Sequence, residues 1–179
     1  MGEQEERVTQ TLVLIKPDGL VKSLTGNILT KLSETRLKIV AAKVVSVSKE
    51  LAEEHYHQLR SEKGDEIFES VLKYIQGEYH TNRVFALVYE GEDSVRRVRE
   101  VAGETNPEKA HPNTLRGMYG RINSMTDVFE NVIHASDSNE NAEREIKLWF
   151  SPSEITHRIY DVEETDLSGK DLKWKEESN

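Results

Sequence analysis

Cysteine is absent from all 179 residues, and this gap removes disulfide frameworks, zinc–thiolate sites and a cysteine nucleophile together. Long apolar runs are missing as well. The richest stretches, 11–15, 39–47 and 84–89, fall far short of the roughly 20 residues that a membrane helix needs. There is no Gly-x-x-x-x-Gly-Lys-Ser/Thr loop, no dinucleotide fingerprint, no protein-kinase signature and no internal repeat. Phosphates, if they bind, must therefore be held by side chains. The opening MGEQEERV is acidic, lacks the basic and apolar regions of a signal peptide, and has Glu6 where myristoylation prefers Ser or Thr. A cytoplasmic location is the expectation.

Apolar residues make up 36% and charged residues 32%, a polar but globular composition, and the length suits one domain with an appended tail. The net charge of −9 is unevenly spread. Residues 161–179 hold seven acids against three lysines, net −4, and residues 1–7 are net −2, which leaves −3 for the body. This balance disfavours general nucleic-acid binding but leaves room for a local basic pocket for small anions.

Residues 10–15 read as a buried strand that stops at the Lys16-Pro17-Asp18-Gly19 turn. Ile28, Leu29 and Leu32 mark an amphipathic helix from about Thr25, and 37–47 is a second strand. Ser48 has the chemistry of an N-cap for a helical pair carrying Leu51, Tyr56 and Leu59, then Ile67, Val71, Leu72 and Ile75. A third strand at 83–89 leads through Glu90-Gly91-Glu92-Asp93 into a helix with Val95, Val98 and Val101. A long Gly-, Pro-, Asn- and Thr-containing loop spans about 103–131, a fourth strand is expected near 131–134, and a last helix covers 139–149. Beyond Pro152 periodicity fades. The alternation of strands and helices fits a parallel doubly wound sheet as readily as an antiparallel one.

Two regions carry chemistry. The long loop contains Thr105, Asn106, Thr114 and Arg116, with Arg99 just before it. Guanidinium and hydroxyl donors of this kind suit a polyphosphate, although a solvated loop with surface arginines has the same composition. The second region, Asn131-Val132-Ile133-His134-Ala135-Ser136-Asp137-Ser138, sets an imidazole at a strand end beside a helix whose N-cap is Ser138. His55, His57, His80, His111 and His157 have no adequate metal-ligand spacing.

With these residues in place, the sequence resembles the nucleoside diphosphate kinase family. The Lys16-Pro17-Asp18-Gly19, Gly103-Glu104-Thr105-Asn106-Pro107, 112–117 and 131–138 segments fall in that family's order. The resemblance covers about 9–155, between an N-terminal extension at 1–8 and an acidic C-terminal tail at 156–179. It implies an α+β fold, a ferredoxin-like four-stranded antiparallel sheet with helices packed on one side, assembled as a hexamer or tetramer. It also implies ping-pong transfer of the γ-phosphate of ATP or another nucleoside triphosphate to a nucleoside diphosphate, through a phosphohistidine at His134.

Residue by residue, the resemblance assigns Lys16, Arg99 and Arg116 to the phosphates, Tyr56 and Thr105 to phosphate-side donors, and Asn131 to the ribose 3′-hydroxyl. Glu145, with Ser136 nearby, would orient His134. Mg2+ would arrive with the nucleotide, with Asp137 close to it and no direct protein ligand assigned. Three departures stand out. Ile67 occupies the place of the family's base-stacking phenylalanine, with Phe68 one position on; the Arg-Gly-Asp-Phe string reads Arg116-Gly117-Met118-Tyr119; and 118–130 is longer than usual. Two rival readings remain at this point: a regulatory or scaffolding nucleotide binder on the same fold, and an RNA-binding module, which would need aromatic and basic strand motifs that are absent.

Overall fold

The protein was analysed as a computed structural model, which describes residues 8–164 and 172–175. Residues 1–7 of the N-terminal extension, and 165–171 and 176–179 of the acidic tail, lie outside the described residues. The central strand, β1 (Val8–Ile15), is buried from Gln10 onward. Its side chains alternate between two cores: Leu12 and Leu14 enter one, Val13 and Ile15 the other. A strand covered on both faces needs a continuous apolar run rather than strict alternation, and residues 11–15 supply one. Each fully buried Leu or Ile here contributes about 1.5–3 kcal/mol.

Beside β1 lie β2 (Lys38–Ser46), β3 (Arg83–Glu92) and, after a short hairpin of β4 (Arg121–Ile122) and β5 (Phe129–Glu130), β6 (Ile133–Ala135). The sheet order is β2-β3-β1-β6, with every neighbouring pair antiparallel. This is the ferredoxin-like α+β arrangement, and it resolves the topology that periodicity left open. The helices, however, cover both faces rather than one. The first core draws on α3 (Lys49–His55), α5 (Asp65–Ile75) and α8 (Asn139–Trp149). The second draws on α2 (Thr25–Ser33), α6 (Ser94–Ala102) and α7 (Leu115–Tyr119).

Several local expectations change. Lys16-Pro17-Asp18-Gly19 is not a turn but the entry to a short helix, α1 (Pro17–Val21), with proline in its first turn, where the missing N–H costs nothing. The helical pair is three helices, because its first member breaks at Tyr56 into α3 and α4 (His57–Lys63), and Gly64 at φ 86°, a left-handed position suited to glycine, separates α4 from α5. Ser48 and Ser138 do cap: their side chains accept from Leu51 N at 3.2 Å and Asn141 N at 3.0 Å. In the tail, Tyr160 and Trp174 pack on the first core, and Trp174 Nε1 donates to the Phe150 carbonyl at 2.7 Å.

Candidate active site

Register alone brings the ends of the chain together. In the β1–β6 pairing Leu14 faces His134, so Lys16, just past the end of β1, lies beside the segment leading into β6. The Lys16 amide donates to Val132 O at 2.9 Å, and its Nζ donates to Asn131 Oδ1 at 2.8 Å. Asn131 Nδ2 in turn reaches Thr105 O at 2.8 Å. One carboxamide thus joins the β1 end to the long loop.

That loop is ordered by its own polar contacts. Gly103, at φ 83°, ends α6; a Cβ there would lie 2.2 Å from Thr114 Oγ1, so only glycine fits. Thr114 then caps α7, accepting from Gly117 N at 3.3 Å. Arg116, the second residue of α7, turns inward, donating from Nη1 to Gly103 O at 2.6 Å and from Nη2 to Ile133 O at 3.2 Å. Its Nε is buried and has no partner among the described residues, and the same holds for the Tyr56 hydroxyl. Buried polar atoms left this way cost free energy unless a ligand or water meets them.

The imidazole of His134 is held from behind. Its Nε2 lies 2.9 Å from Glu145 Oε2, on α8, and the Ser136 hydroxyl donates to the same oxygen at 2.6 Å. Burial pushes the Glu145 carboxyl up, but the facing His134 and the Ser136 hydroxyl outweigh it and hold it down at about 2. An ionised carboxylate only accepts, so His134 Nε2 carries a proton, and in the neutral imidazole Nδ1 then holds the lone pair.

The cations are tuned by the same burial. Lys16 is lowered to about 8 by desolvation and by neighbouring Arg116, with Asp18 opposing. Arg116 is lowered to about 10 by desolvation and by Arg99. Three positive groups lie close together, and among the described residues no carboxylate is bonded to Lys16 or Arg116, a setting that suits an anion.

The remaining expected residues are more peripheral. Arg99 and Thr105 are exposed, and Asp137 is exposed with Oδ1 accepting from Asn141 Nδ2 at 2.7 Å. Ile67 is 48% exposed on α5, whereas Phe68 is buried in the first core under the Arg60 guanidinium, 4.2 Å from its ring centroid. A cavity of about 780 Å³ shares Arg99, Thr114 and Asp137 with this region but is not lined by His134, Lys16 or Tyr56.

His55 is the residue that sequence spacing missed. Its ring lies edge-on to His134 at 4.5 Å between centroids, and its Nδ1 accepts from Trp149 Nε1 at 3.1 Å. Desolvation and His134 push its pKa well down, so it is neutral. With His134 and Glu145 it forms a His/carboxylate group compact enough for a metal, ligand atoms within 4.8 Å of one another. Both Glu145 and His134 are nonetheless committed to each other. A faint signal existed: His55 falls on the buried face of the Ser48-capped helix, three residues after Ala52.

An imidazole hydrogen-bonded to an ionised carboxylate, with buried cations on the same ferredoxin-like sheet, has the chemistry of a phosphotransfer protein. Comparison with known proteins gives the family. The family model for nucleoside diphosphate kinase matches residues 9–155. A nucleoside diphosphate kinase of Pyrococcus furiosus is 45% identical over 148 residues, 83% of this chain and 86% of that protein. One of Listeria monocytogenes serotype 4b is 42% identical over 146 residues, 82% and 91% of the two chains. Among solved structures, the Borrelia burgdorferi enzyme, a transition-state mimic with bound vanadate and ADP, superposes with a TM-score of 0.76 at 34% identity, covering 86% of this chain and 94% of that one. The Halobacterium salinarum enzyme in complex with CDP gives 0.73 at 36% identity, covering 87% and 95%. The chain belongs to the nucleoside diphosphate kinase family, and its activity is transfer of the terminal phosphate of a nucleoside triphosphate to a nucleoside diphosphate. The regulatory or scaffolding alternative gains no support from these relatives.

Proposed function

We propose that this transfer runs through His134 in two half-reactions. The Nδ1 lone pair attacks the γ-phosphorus of ATP or another nucleoside triphosphate, an N–P bond forms, and the bond from the γ-phosphorus to the bridging oxygen breaks, releasing the diphosphate. A second nucleoside diphosphate then takes the group back by the reverse exchange. Attack through Nδ1 leaves positive charge on a ring still protonated at Nε2, and Glu145 sits 2.9 Å away to stabilise it. Lys16 and Arg116 would meet the phosphate oxygens, with the Tyr56 hydroxyl and Arg116 Nε supplying the unpartnered buried donors. Arg99 and Thr105 would act from the exposed side, and Asn131 would take the ribose 3′-hydroxyl. The observation that carries the reading is the His134–Glu145 pair, with Arg116 bonded to the carbonyl of Ile133 just before the histidine and Tyr56 packed on His55, which packs on His134.

The family's phosphotransfer uses a divalent cation, and we assign Mg2+. The nearby carboxylates do not build a cage for it. Glu145 is spent on His134 and Ser136, and Asp18 on Tyr74 and the Val132 amide. The exposed Asp137 is left to approach a cation held mainly by phosphates and water, which neutralises charge on the transferring group. No helix among the described residues is long and apolar enough to cross a membrane; a cytoplasmic homo-oligomer, hexamer or tetramer, is our reading.

Incubating the protein with γ-labelled ATP should give acid-labile protein phosphate that a second nucleoside diphosphate removes. Label that never appears on the protein while turnover proceeds would end the two-step scheme.

Two further outcomes follow from the geometry. Because burial and the neighbouring Arg116 lower Lys16 to about 8, the free enzyme should lose a phosphate-binding charge as pH rises through that value. The kcat/KM profile should fall on its basic side near pH 8, and Lys16→Arg, which stays charged, should remove that limb. An unchanged limb in Lys16→Arg would assign it elsewhere.

Ile67, exposed rather than part of the core, is free to meet the base. Ile67→Phe should add a π-face and tighten all nucleotides by roughly 0.5–1.5 kcal/mol, about two- to tenfold. Tm should barely move, as for other exposed positions. Equal affinity in the two proteins would take Ile67 out of the base site.

A further inference from the structure

Outside the phosphate cluster, one carboxylate gathers an unusual set of partners. Glu130 closes β5 and is only 1% exposed. Its Oε2 accepts from Arg121 Nε at 2.7 Å and from Lys22 Nζ at 3.2 Å. Its Oε1 accepts from Asn123 Nδ2 at 2.7 Å and from His80 Nε2 at 3.0 Å. The donors come from the end of α1, from the connection between α5 and β3, and from the β4–β5 hairpin. Burial pushes Glu130 up, but these four donors prevail and hold it at about 2, so it is ionised throughout the neutral range.

The residues that follow explain why such an anchor matters. Asn131 holds its carboxamide between Lys16 Nζ and Thr105 O, both at 2.8 Å. Val132 has φ 58°, a left-handed conformation that is costly for a β-branched residue and persists only where its surroundings enforce it. Asp18 accepts from the Val132 amide at 3.2 Å, and Tyr74 donates to the other Asp18 oxygen. Lys22, bonded to Glu130, also lies 3.7 Å from Asp18. The strained Asn131–Val132 step is therefore gripped from Asp18 on one side and from Glu130 on the other, with Lys22 touching both.

We infer that Glu130 is a positioning residue for substrate selection: it fixes the backbone that aims Asn131, and so sets how strongly the enzyme prefers a nucleotide bearing a ribose 3′-hydroxyl. This rests on the proposed contact between Asn131 and that hydroxyl. Glu130 touches no substrate itself. Glu130→Gln keeps the shape and an acceptor but loses the charge that holds two cations and His80, and the carboxamide of Asn131 should drift. A role confined to holding the fold would lower Tm and depress all nucleotides alike. A positioning role changes the ratio between them.

The experiment compares kcat/KM for ATP and 3′-deoxy-ATP, with one saturating diphosphate acceptor, in wild type, Glu130→Gln, Asn131→Ala and the double variant. Wild type should prefer ATP by about tenfold or more, as expected when a polar group is left unpaired by the deoxy analogue. Glu130→Gln should narrow that preference by about three- to tenfold, and the double variant should narrow it no further than Asn131→Ala alone. Should Glu130→Gln not fold, Arg121→Gln, which removes one donor from a largely exposed side chain, should show a smaller narrowing. A wild-type enzyme indifferent to the 3′-hydroxyl, or a preference that survives Asn131→Ala, would overturn the reading of Asn131. A preference lost in Asn131→Ala but intact in Glu130→Gln and Arg121→Gln would overturn the inference about Glu130 alone.

Discussion

His134→Ala is expected to form no phosphoenzyme and to lose turnover by about 10⁴-fold or more, since removing a covalent nucleophile removes the step that divides the reaction. The fold should survive. His134 is only part-buried, with Nε2 bonded to Glu145 at 2.9 Å, and it projects from a three-residue strand paired through its backbone to β1. Truncation does leave the buried Glu145 with Ser136 and its neighbour His55 but without its main partner, so a modest fall in Tm of a few degrees is expected. Wild-type turnover in purified His134→Ala would remove His134 from the chemistry altogether.

The second large effect is expected at Arg116, and it should fall mainly on rate. The guanidinium spends its two terminal nitrogens on Gly103 O and Ile133 O, which locks its position, while Nε remains buried without a partner. Fixed donors aimed at a place where charge builds act most strongly in the transition state. Arg116→Ala should therefore lower kcat by about 10²–10³-fold, with a smaller change in KM. It should also cost about 1–3 kcal/mol of stability, because the buried Ile133 carbonyl and the part-buried Gly103 carbonyl lose this donor. Steady-state kinetics alongside thermal melts separate the two losses. A change in KM with kcat unaltered would confine Arg116 to ground-state binding.

What the sequence revealed, and what it hid, follows from the range of the interactions involved. The Ser138 cap and the helix over 139–149 are written in adjacent residues, and the structure has α8 at Asn139–Trp149. Strands β1, β2 and β3 are likewise legible from local apolar runs. The four residues Lys16-Pro17-Asp18-Gly19 misled because proline, aspartate and glycine serve a turn and a helix start equally well; only the packing of α1 decides. Helices on both faces were foreshadowed by the unbroken burial potential of 11–15, yet the partner elements come from distant parts of the chain. The 103–131 loop reads as irregular because its order is tertiary: Arg116 bonds Ile133, and Asn131 bonds Thr105.

The same reasoning applies to single residues. His55 meets its partners on β6 and α8, and Glu130 draws donors from as far as Lys22. Neither arrangement has a spacing that a reader of the sequence could recognise. His134 was legible for the opposite reason, since its strand, its small neighbour and the following cap are contiguous.

The central claim is that Glu145 holds His134 through Nε2 and leaves Nδ1 to receive phosphate. Trapping the phosphoenzyme with ATP and determining by heteronuclear ³¹P NMR which ring nitrogen bears the phosphorus tests it directly. The geometry predicts a single phosphohistidine, at Nδ1 of His134. Phosphorus bonded to Nε2, or to any other residue, would contradict it.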